Sequence, residues 1–165
     1  MKLIGRIREI QKLDKLMVST QSEFLAVYGR RRVGKTFLIR NYFKNEFDFY
    51  ATGLAKGNTK QQLTNFTIFI NNYFSNHHAV PSNWLEAFNL LIKELEKSKS
   101  AKKRVIFIDE MPWMDTKKSD FMMGLEFFWN SWASAQSDVL LIVCGSAASW
   151  MLNNLIKNTG GLYNR

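Results

Sequence analysis

Hydrophobic positions along this chain of 165 residues follow two alternating patterns. Short continuous apolar runs, typical of strands buried on both faces, alternate with stretches in which apolar residues recur every three or four positions, as on one face of a helix. The runs predict four strands, at 24–28, 47–51, 105–108 and 139–143. The periodic stretches predict helices near 7–17, 34–42, 63–73, 85–95, 119–132 and 149–157. This alternation predicts an α/β fold in which helices cover both faces of a parallel sheet.

The composition is that of an ordinary globular domain, because 46% of the residues are hydrophobic and 22% are charged. The single cysteine, Cys144, excludes an internal disulfide and a cysteine-rich zinc site, and its apolar strand predicts a buried, unreactive thiol. The sequence contains no apolar run of membrane-spanning length and no secretory signal, so we expect a soluble protein of the cytoplasm with no membrane partner.

The charge balance is basic. Lysine and arginine outnumber aspartate and glutamate by 23 to 14, which gives a formal net charge of +9. Such a balance favours a polyanionic partner, whether a nucleotide, a nucleic acid or an anionic surface, without choosing among them. The basic stretch Lys97–Arg104 is expected to be a solvated turn, and His77 and His78, which have no acidic or cysteine partner at metal-ligand spacing, are expected to be surface or capping residues.

The segment from Gly29 to Thr36 reads GRRRVGKT and satisfies the phosphate-loop pattern G-x-x-x-x-G-K-[ST] between a predicted strand and a predicted helix. Backbone N–H groups from Gly29 to Lys35 can surround a phosphate, and the positive end of the helix dipole adds to the attraction. Gly29 and Gly34 permit positive φ and a close approach of the backbone. We expect Lys35 to reach the β- and γ-phosphates and the Thr36 hydroxyl to bind Mg²⁺.

The variable positions of this loop are largely basic. By their place in the loop and at the helix start, Arg32, Val33 and Phe37 are counted among the nucleotide-binding positions. The side chains of Arg30, Arg31 and Arg32 either assist phosphate binding, pair with acidic neighbours or point to solvent, and we favour a solvated position for all three.

Two adjacent carboxylates, Asp109 and Glu110, follow the third predicted strand. Open α/β sheets bind ligands at this carboxyl edge. In a phosphate-loop protein the aspartate holds Mg²⁺, usually through water, and a neighbouring glutamate orients or deprotonates the attacking water. The adjacent glutamate favours hydrolysis over phosphate transfer to a small molecule. Trp113, which follows shortly, is expected to shape the rim of the site, whereas Trp129 and Trp132 are expected in the core.

Four segments together carry a family resemblance: Ile4-Gly5-Arg6 with Glu9, GRRRVGKTFLIR at 29–40, VIFIDEMPWM at 105–114 and LLIVCGSAASWM at 140–151. The chain resembles the archaeal-type AAA ATPase family over nearly its whole length. These proteins are P-loop ATPases of the additional-strand, catalytic-glutamate division, allied to AAA+ and signalling NTPases. The resemblance implies a three-layer P-loop NTPase fold with ATP and Mg²⁺ as cofactors.

The resemblance also implies roles for individual residues. It places Ile4, Gly5 and Arg6 near the adenine, makes Gly34, Lys35 and Thr36 the core of Walker A, and makes Asp109 and Glu110 Walker B. Ser146 matches the sensor-1 position that detects the γ-phosphate, although a serine here can equally cap the next helix. The terminal GLYNR at 161–165 resembles the family's Leu-Tyr-Gly-Arg segment with Asn164 in place of glycine, so Arg165 is a candidate arginine finger or phosphate sensor.

The predicted function is Mg²⁺-dependent ATP binding and hydrolysis, slow in isolation and completed by an arginine from another protomer or domain. The alternatives are a nucleotide-operated switch, in which turnover is incidental, and a DNA-associated ATPase. A small-molecule kinase is disfavoured because no arginine-rich lid follows the fourth predicted strand. Homo-oligomers or a C-terminal effector domain are expected partners.

Folds of this division normally have five strands in the order 5-1-4-3-2, whereas this sequence supplies four. We therefore expect residues 1–165 to be the N-terminal part of a longer ATPase, without its fifth strand, helical lid and effector domain.

Overall fold

Four parallel strands form the centre of the computed structural model, which describes residues 6–98 and 100–156. The strands are β1 (Glu23–Tyr28), β2 (Phe49–Thr52), β3 (Arg104–Asp109) and β4 (Val139–Gly145). They lie in the order β1-β4-β3-β2, and all neighbouring pairs are parallel. The predicted α/β class with a four-stranded parallel sheet is therefore confirmed. Along its free side β1 has no partner strand among the described residues, and the fifth strand expected beyond residue 165 stays a prediction.

Helices connect the strands. They are α1 (Ile7–Val18), α2 (Lys35–Tyr42), α3 (Thr59–Phe74), α4 (Trp84–Glu96), α5 (Met111–Met114), α6 (Phe121–Ser131) and α7 (Ala148–Met151). A 3-10 turn (Ala133–Ala135) follows α6, and a π-helical segment (Leu152–Ile156) continues α7. The hydrophobic pattern does not predict α5, because a helix of four residues is too short to show helical periodicity.

The sheet has a core on each face. One core joins β2, β3 and β4 to α3, α4 and α6, and is rich in aromatic rings such as those of Phe66, Phe88 and Phe128. The other is smaller and packs Leu13 of α1 and Ile39 of α2 against β3 and β4. Every residue of β3 and β4 is buried, which explains why these strands are continuous apolar runs rather than alternating ones.

Side-chain caps set the starts of the two long helices. Asn58 and Gln61 form a reciprocal capping box at the start of α3, which the hydrophobic pattern does not predict. At the start of α4 the Asn83 side chain accepts a hydrogen bond from the Glu86 backbone, as its spacing indicates. The Glu86 carboxylate, however, accepts from the backbone and hydroxyl of Ser82, so only half of a capping box forms there.

The expectation of a solvated basic turn at Lys97–Arg104 was wrong for its last two residues. Arg104 is buried, donates two hydrogen bonds to the Asp138 carboxylate at 2.7 and 2.9 Å, and lies over the Trp132 ring. Lys103 donates to three backbone carbonyls at and just beyond the end of α1. Both cations form internal hydrogen bonds that connect elements distant in the sequence, so these side chains serve the fold rather than a partner.

The two histidines differ. His77 is exposed, whereas the His78 ring lies 2.6 Å from the carboxylate of Glu94, a buried residue of α4. Lys97 and Asn76 also donate to this carboxylate. Burial raises the pKa of Glu94, but the hydrogen bonds from Lys97, His78 and Asn76 outweigh burial and leave the pKa below its usual value. His78 therefore helps to hold the end of α3 against α4.

Candidate functional site

The loop from Gly29 to Thr36 connects β1 to α2 at the carboxyl edge of the sheet. Three of its residues have positive φ: Gly29 at 143°, Arg32 at 62° and Gly34 at 80°. Gly34 is also the N-cap of α2, so the turn into this helix uses a conformation that residues with a Cβ rarely adopt. The loop thereby presents the free backbone N–H groups of the first turn of α2 toward its own concave side.

Lys35 folds back across this loop. Its ammonium group donates to the backbone oxygens of Gly29 at 2.8 Å and of Arg30 at 2.6 Å. The lysine charge is therefore held over the loop by two carbonyl dipoles. A ligand anion in the loop would compete for the same ammonium group, because a charge-assisted bond to phosphate is stronger than one to a neutral carbonyl.

A hydrogen bond joins the loop to the acidic end of β3. The Thr36 hydroxyl donates to Oδ2 of Asp109 at 2.8 Å, and the other carboxylate oxygen accepts from the backbone of Glu110 at 2.9 Å. Asp109 is almost fully buried. The Cys144 thiol on β4 lies beside it, and burial, reinforced by this carboxylate, raises the pKa of the thiol. The expectation of a buried thiol is confirmed.

Glu110 directs its side chain into the cleft from a left-handed backbone conformation, with φ of 46°. It is the N-cap of α5, and its carboxylate lies 3.5 Å from the Ser146 hydroxyl, at the outer limit of hydrogen bonding. Gly53, at the end of β2, makes this position sterically possible. A Cβ on Gly53 would lie 2.4 Å from the Glu110 backbone oxygen and 2.9 Å from the Trp113 Cβ.

These groups surround an open cleft of about 650 Å³. Its lining residues come from the loop, the end of β2, the start of α5 and the end of β4: Arg31, Arg32, Gly34, Lys35, Thr36, Phe37, Gly53, Ala55, Glu110, Trp113 and Ser146. The lining thus combines basic side chains, the Glu110 carboxylate and the start of α2. Its groups can bind a phosphate chain and act on a water molecule at the end of that chain.

The structure brings together most residues that the sequence predicts for the site. Gly34, Lys35, Thr36, Phe37, Arg32, Glu110 and Ser146 line the cleft, and Asp109 lies directly beneath Thr36. Val33 and Arg6 lie apart, around a smaller cavity of about 280 Å³ between α1, β1 and α2. Arg6 donates to Glu9 at 3.0 Å and to the Val33 carbonyl at 2.5 Å, so it contacts the loop backbone. Ile4, Gly5 and Arg165 lie outside the described residues.

The sequence does not predict the contributions of Gly53 and Arg31 to this site, and it predicts only an approximate position for Trp113. Gly53 gives no sequence signal beyond its place after a strand. Arg31 is exposed, as expected, but its guanidinium also lies over the Trp113 ring at 5.7 Å, a contact that the sequence does not predict. Trp113, expected at the rim, lines the cleft. No group of three or more histidine, cysteine, aspartate or glutamate side chains suited to a metal occurs in the part of the chain that the structure describes. A cation here would need the Thr36–Asp109 pair and ligand oxygens.

The parallel sheet, the strand order and the loop before α2 define a P-loop ATPase fold. Residues 3–165 match the sequence profile of the family described as an ATPase domain predominantly from Archaea. The chain belongs to this family, so the resemblance to archaeal-type P-loop ATPases is confirmed. No helix among the described residues combines the length and the apolarity needed to cross a membrane.

Individual proteins are similar to the chain in sequence or in fold. An uncharacterized protein of Methanocaldococcus jannaschii, MJECL04, is 25% identical over 162 residues, which are 98% of this chain and 34% of that protein. The Walker-type ATPase PABY2304 of Pyrococcus abyssi superposes with a TM-score of 0.64 at 17% identity, over 99% of this chain and 51% of that one. Cdc6p of Pyrobaculum aerophilum has a TM-score of 0.66 at 18% identity, over 98% and 44%. The chain thus spans about a third to a half of the length of these relatives.

Proposed function

We propose that this chain binds ATP with Mg²⁺ and hydrolyses it. The observation that carries the proposal is the 2.8 Å hydrogen bond from Thr36 to Asp109, which places the helix-start hydroxyl of the loop beside the acidic end of β3, with Glu110 next in the chain. This arrangement unites, at one cleft, a cradle for phosphates, oxygen ligands for a cation and a base for water. Family membership supports the same activity.

Phosphate binding is assigned to the loop. The N–H groups between Gly29 and Lys35 donate to phosphate oxygens, and the start of α2 adds the field of its dipole. Lys35 leaves the carbonyls of Gly29 and Arg30 and turns its ammonium group to the β- and γ-phosphates. The exchange is favourable because phosphate oxygens carry full negative charge, whereas the carbonyls carry only dipoles.

The donor set beside the loop fits Mg²⁺. Hard oxygen ligands suit this ion, and the Thr36 hydroxyl, which donates its hydrogen bond to Asp109, keeps a lone pair free for the cation. When bound, Mg²⁺ would neutralise charge on the β- and γ-phosphate oxygens. Asp109 orients the Thr36 hydroxyl and, through its second oxygen, fixes the backbone of Glu110.

Hydrolysis is assigned to Glu110, which orients a water molecule and accepts its proton. Its carboxylate lies across the cleft from the loop, and Ser146 at the end of β4 contacts it. Ser146 is therefore proposed as the group that senses the terminal phosphate and relays its presence to Glu110. Turnover by the chain alone is expected to be slow, because transition-state charge on the phosphate calls for an additional cation, which Arg165 or an arginine of another domain or protomer would supply.

Two substitutions test the proposal. Lys35→Ala should weaken ATP binding by about 10- to 100-fold, since a charge-assisted hydrogen bond is lost. Glu110→Gln should preserve ATP affinity and lower single-turnover hydrolysis by about 10²- to 10⁴-fold, the usual contribution of a general base. Titration calorimetry with ATP and ADP, followed by phosphate release, measures both. Turnover that Glu110→Gln leaves unchanged would contradict the assignment of the base.

A second candidate function, association with nucleic acid, is favoured by one specific surface. Lys56 and Lys60 flank the start of α3, and Lys117 and Lys118 lie in the turn before α6. A 2.5 Å contact between the hydroxyls of Thr59 and Thr116 brings the two segments together. All four lysines, here named the lysine surface, are exposed. No acidic residue occurs between residues 49 and 85, whereas Asp115 and Asp120 flank the pair Lys117 and Lys118. Such a concentration of cations suits a phosphate backbone.

Fluorescence anisotropy with a labelled duplex DNA tests this second function. Replacing Lys56 and Lys118 by glutamate should weaken binding and reduce its salt dependence. The matched control replaces Lys15 of α1 and Lys93 of α4, two exposed lysines away from the lysine surface, by glutamate. Equal losses in the two double variants would indicate attraction by net charge alone and would contradict a specific surface.

A further inference from the structure

Arg31 is an exposed residue of the phosphate loop that also contacts an aromatic ring across the cleft. Its guanidinium carbon lies 5.7 Å from the centroid of the Trp113 ring, within the range of a cation–π contact. Trp113 belongs to α5, three residues after Glu110. This contact therefore bridges the cleft, from the phosphate loop on one side to the helix that begins at Glu110 on the other.

Arg31 also lines a second, adjoining cleft of about 340 Å³, together with Glu110, Trp113, Ser146 and Trp150. It shares both clefts with Glu110 and Ser146, whereas Lys35 and Thr36 line only the larger one. Arg31 thus lies toward the water-activating side of the site. Within the described part of the chain its guanidinium forms no ion pair with a carboxylate, so its charge is free for a ligand.

We propose that Arg31 is a catalytic residue that contacts the terminal phosphate from within the same chain, with Trp113 as its positioning residue. This inference rests on the proposed ATPase function. In the reaction, the water oxygen bonds to the γ-phosphorus while the bond from that phosphorus to the β–γ bridging oxygen breaks. The electron pair of that bond leaves with ADP, and the water proton passes to Glu110. Arg31 donates hydrogen bonds to the γ-phosphate oxygens and neither gains nor loses a proton.

The chemistry of the pair suits this role. A guanidinium stays charged at all relevant pH values, stacks on an aromatic face and presents several donors in one plane. It can therefore keep its contact with the Trp113 ring while it binds phosphate oxygens. In the transition state, charge spreads over the equatorial oxygens of the γ-phosphate, which is where a fixed cation lowers the barrier. ADP lacks this phosphate. The Arg31 contact should therefore distinguish ATP from ADP.

The position of Trp113 is itself fixed by packing. Its Cβ lies close to Gly53, where an added Cβ would approach to 2.9 Å. The Glu110 backbone oxygen also packs against Gly53, so the positions of Trp113 and of the general base Glu110 depend on the same glycine. A displacement of α5 would thus move the Arg31 platform and the general base together.

The test uses Arg31→Ala, Arg31→Lys, Trp113→Phe and Trp113→Ala in the full 165-residue chain. Arg40→Ala is the matched control, because Arg40 of α2 lies over the Tyr50 ring at 4.8 Å, outside the cleft. Steady-state hydrolysis gives kcat and KM, and calorimetry gives the affinities for ATP and ADP. Thermal unfolding within a degree or two of the unsubstituted chain verifies folding of the Arg31 variants, as for a surface substitution.

Arg31→Ala should lower kcat by roughly 10²-fold, the usual effect of removing one donor to a transition-state oxyanion, and should weaken ATP but not ADP binding. Arg31→Lys should recover only part of the rate, since a lysine lacks the planar fork. Trp113→Phe should retain more activity than Trp113→Ala, because phenylalanine keeps a ring beneath the guanidinium. Arg40→Ala should hydrolyse ATP at the rate of the unsubstituted chain.

The outcomes separate the two proposals. Turnover that depends on Lys35 and Glu110 but is unchanged in Arg31→Ala overturns the Arg31 assignment and leaves the ATPase proposal intact. Equal losses of ATP and ADP affinity in Arg31→Ala also overturn it, because they indicate a disturbed loop rather than a lost γ-phosphate contact. If the chain shows no ATP hydrolysis, or only hydrolysis that Lys35→Ala leaves unchanged, the proposed function is overturned and the role of Arg31 with it.

Discussion

Substitution of Gly53 by alanine should impair hydrolysis much more than nucleotide binding. Gly53 does not have a positive φ angle, so alanine can adopt its backbone conformation. The effect of the substitution is therefore steric. The new Cβ would lie 2.4 Å from the Glu110 backbone oxygen, whereas Cβ atoms essentially never approach a neighbour within 3.0 Å. The end of β2 or the start of α5 must therefore move by at least about 0.6 Å.

This displacement is large on the scale of catalysis. A misplacement of about 1 Å at a reacting group can cost about 10²-fold in rate, so a loss of roughly 10-fold or more is expected from 0.6 Å. Overpacking of this kind should also cost about 1–3 kcal/mol in the free energy of unfolding. The three atoms nearest the added methyl group belong to Glu110, Trp113 and Met114 rather than to the phosphate loop, so ATP affinity should change little.

The assay is steady-state hydrolysis beside calorimetric ATP binding and urea unfolding. Gly124→Ala is the matched control, since its Cβ would lie 2.9 Å from the Trp84 backbone and from the Phe88 ring, in the core and away from the cleft. The control should lose stability yet keep kcat at temperatures where it is folded. Full activity in Gly53→Ala, or equal loss of kcat in both variants, would refute the link between Gly53 packing and the position of Glu110.

Three further predictions concern groups outside the cleft or beneath it. Glu94→Gln should lower the free energy of unfolding by about 1–3 kcal/mol at neutral pH. Because the pKa of Glu94 is lowered by folding, this stabilisation is present above the ordinary value of 4.5 and is lost as the pH falls below it, so urea titrations of the two chains should converge in acid. Arg104→Ala should cost about 3 kcal/mol, measured by urea unfolding, because it removes a buried guanidinium and leaves its partner, the partly buried Asp138 carboxylate, unpaired; a change below 0.5 kcal/mol, typical of a surface site, would contradict the ion pair. Burial raises the pKa of Cys144, so a thiol reagent at pH 8 should label the chain only in denaturant, and rapid labelling of the folded chain would contradict its burial.

Much of this site could be predicted because its parts are contiguous in the chain. The phosphate loop is eight adjacent residues, and Asp109 and Glu110 directly follow an apolar run. Parallel strands end at one edge of the sheet, so the sequence alone predicts that the two segments lie near each other. Residues 105–108 and 139–143 are strands for an equally local reason, since strands buried on both faces must be apolar throughout.

Other contributors depend on which side chains meet after packing. Arg31 and Gly53 lie in segments whose local sequence permits solvent exposure or an ordinary turn. Only the approach of α5 to the end of β2 places the Trp113 ring beneath the guanidinium and leaves no space for a Cβ on Gly53. Arg104 is similar, because its partner Asp138 is 34 residues away and no periodicity relates the two.

The sequence by itself therefore determined the alternation of strands and helices, the phosphate loop and the acidic strand end, because hydrophobic periodicity and backbone requirements act over a few neighbouring residues. The tertiary structure alone decided that the Thr36 hydroxyl donates directly to Asp109, that Arg31 bridges to α5 and that Lys103 and Arg104 make internal contacts. These contacts arise from the order β1-β4-β3-β2 and from the volumes that fit between its layers, which no short segment encodes.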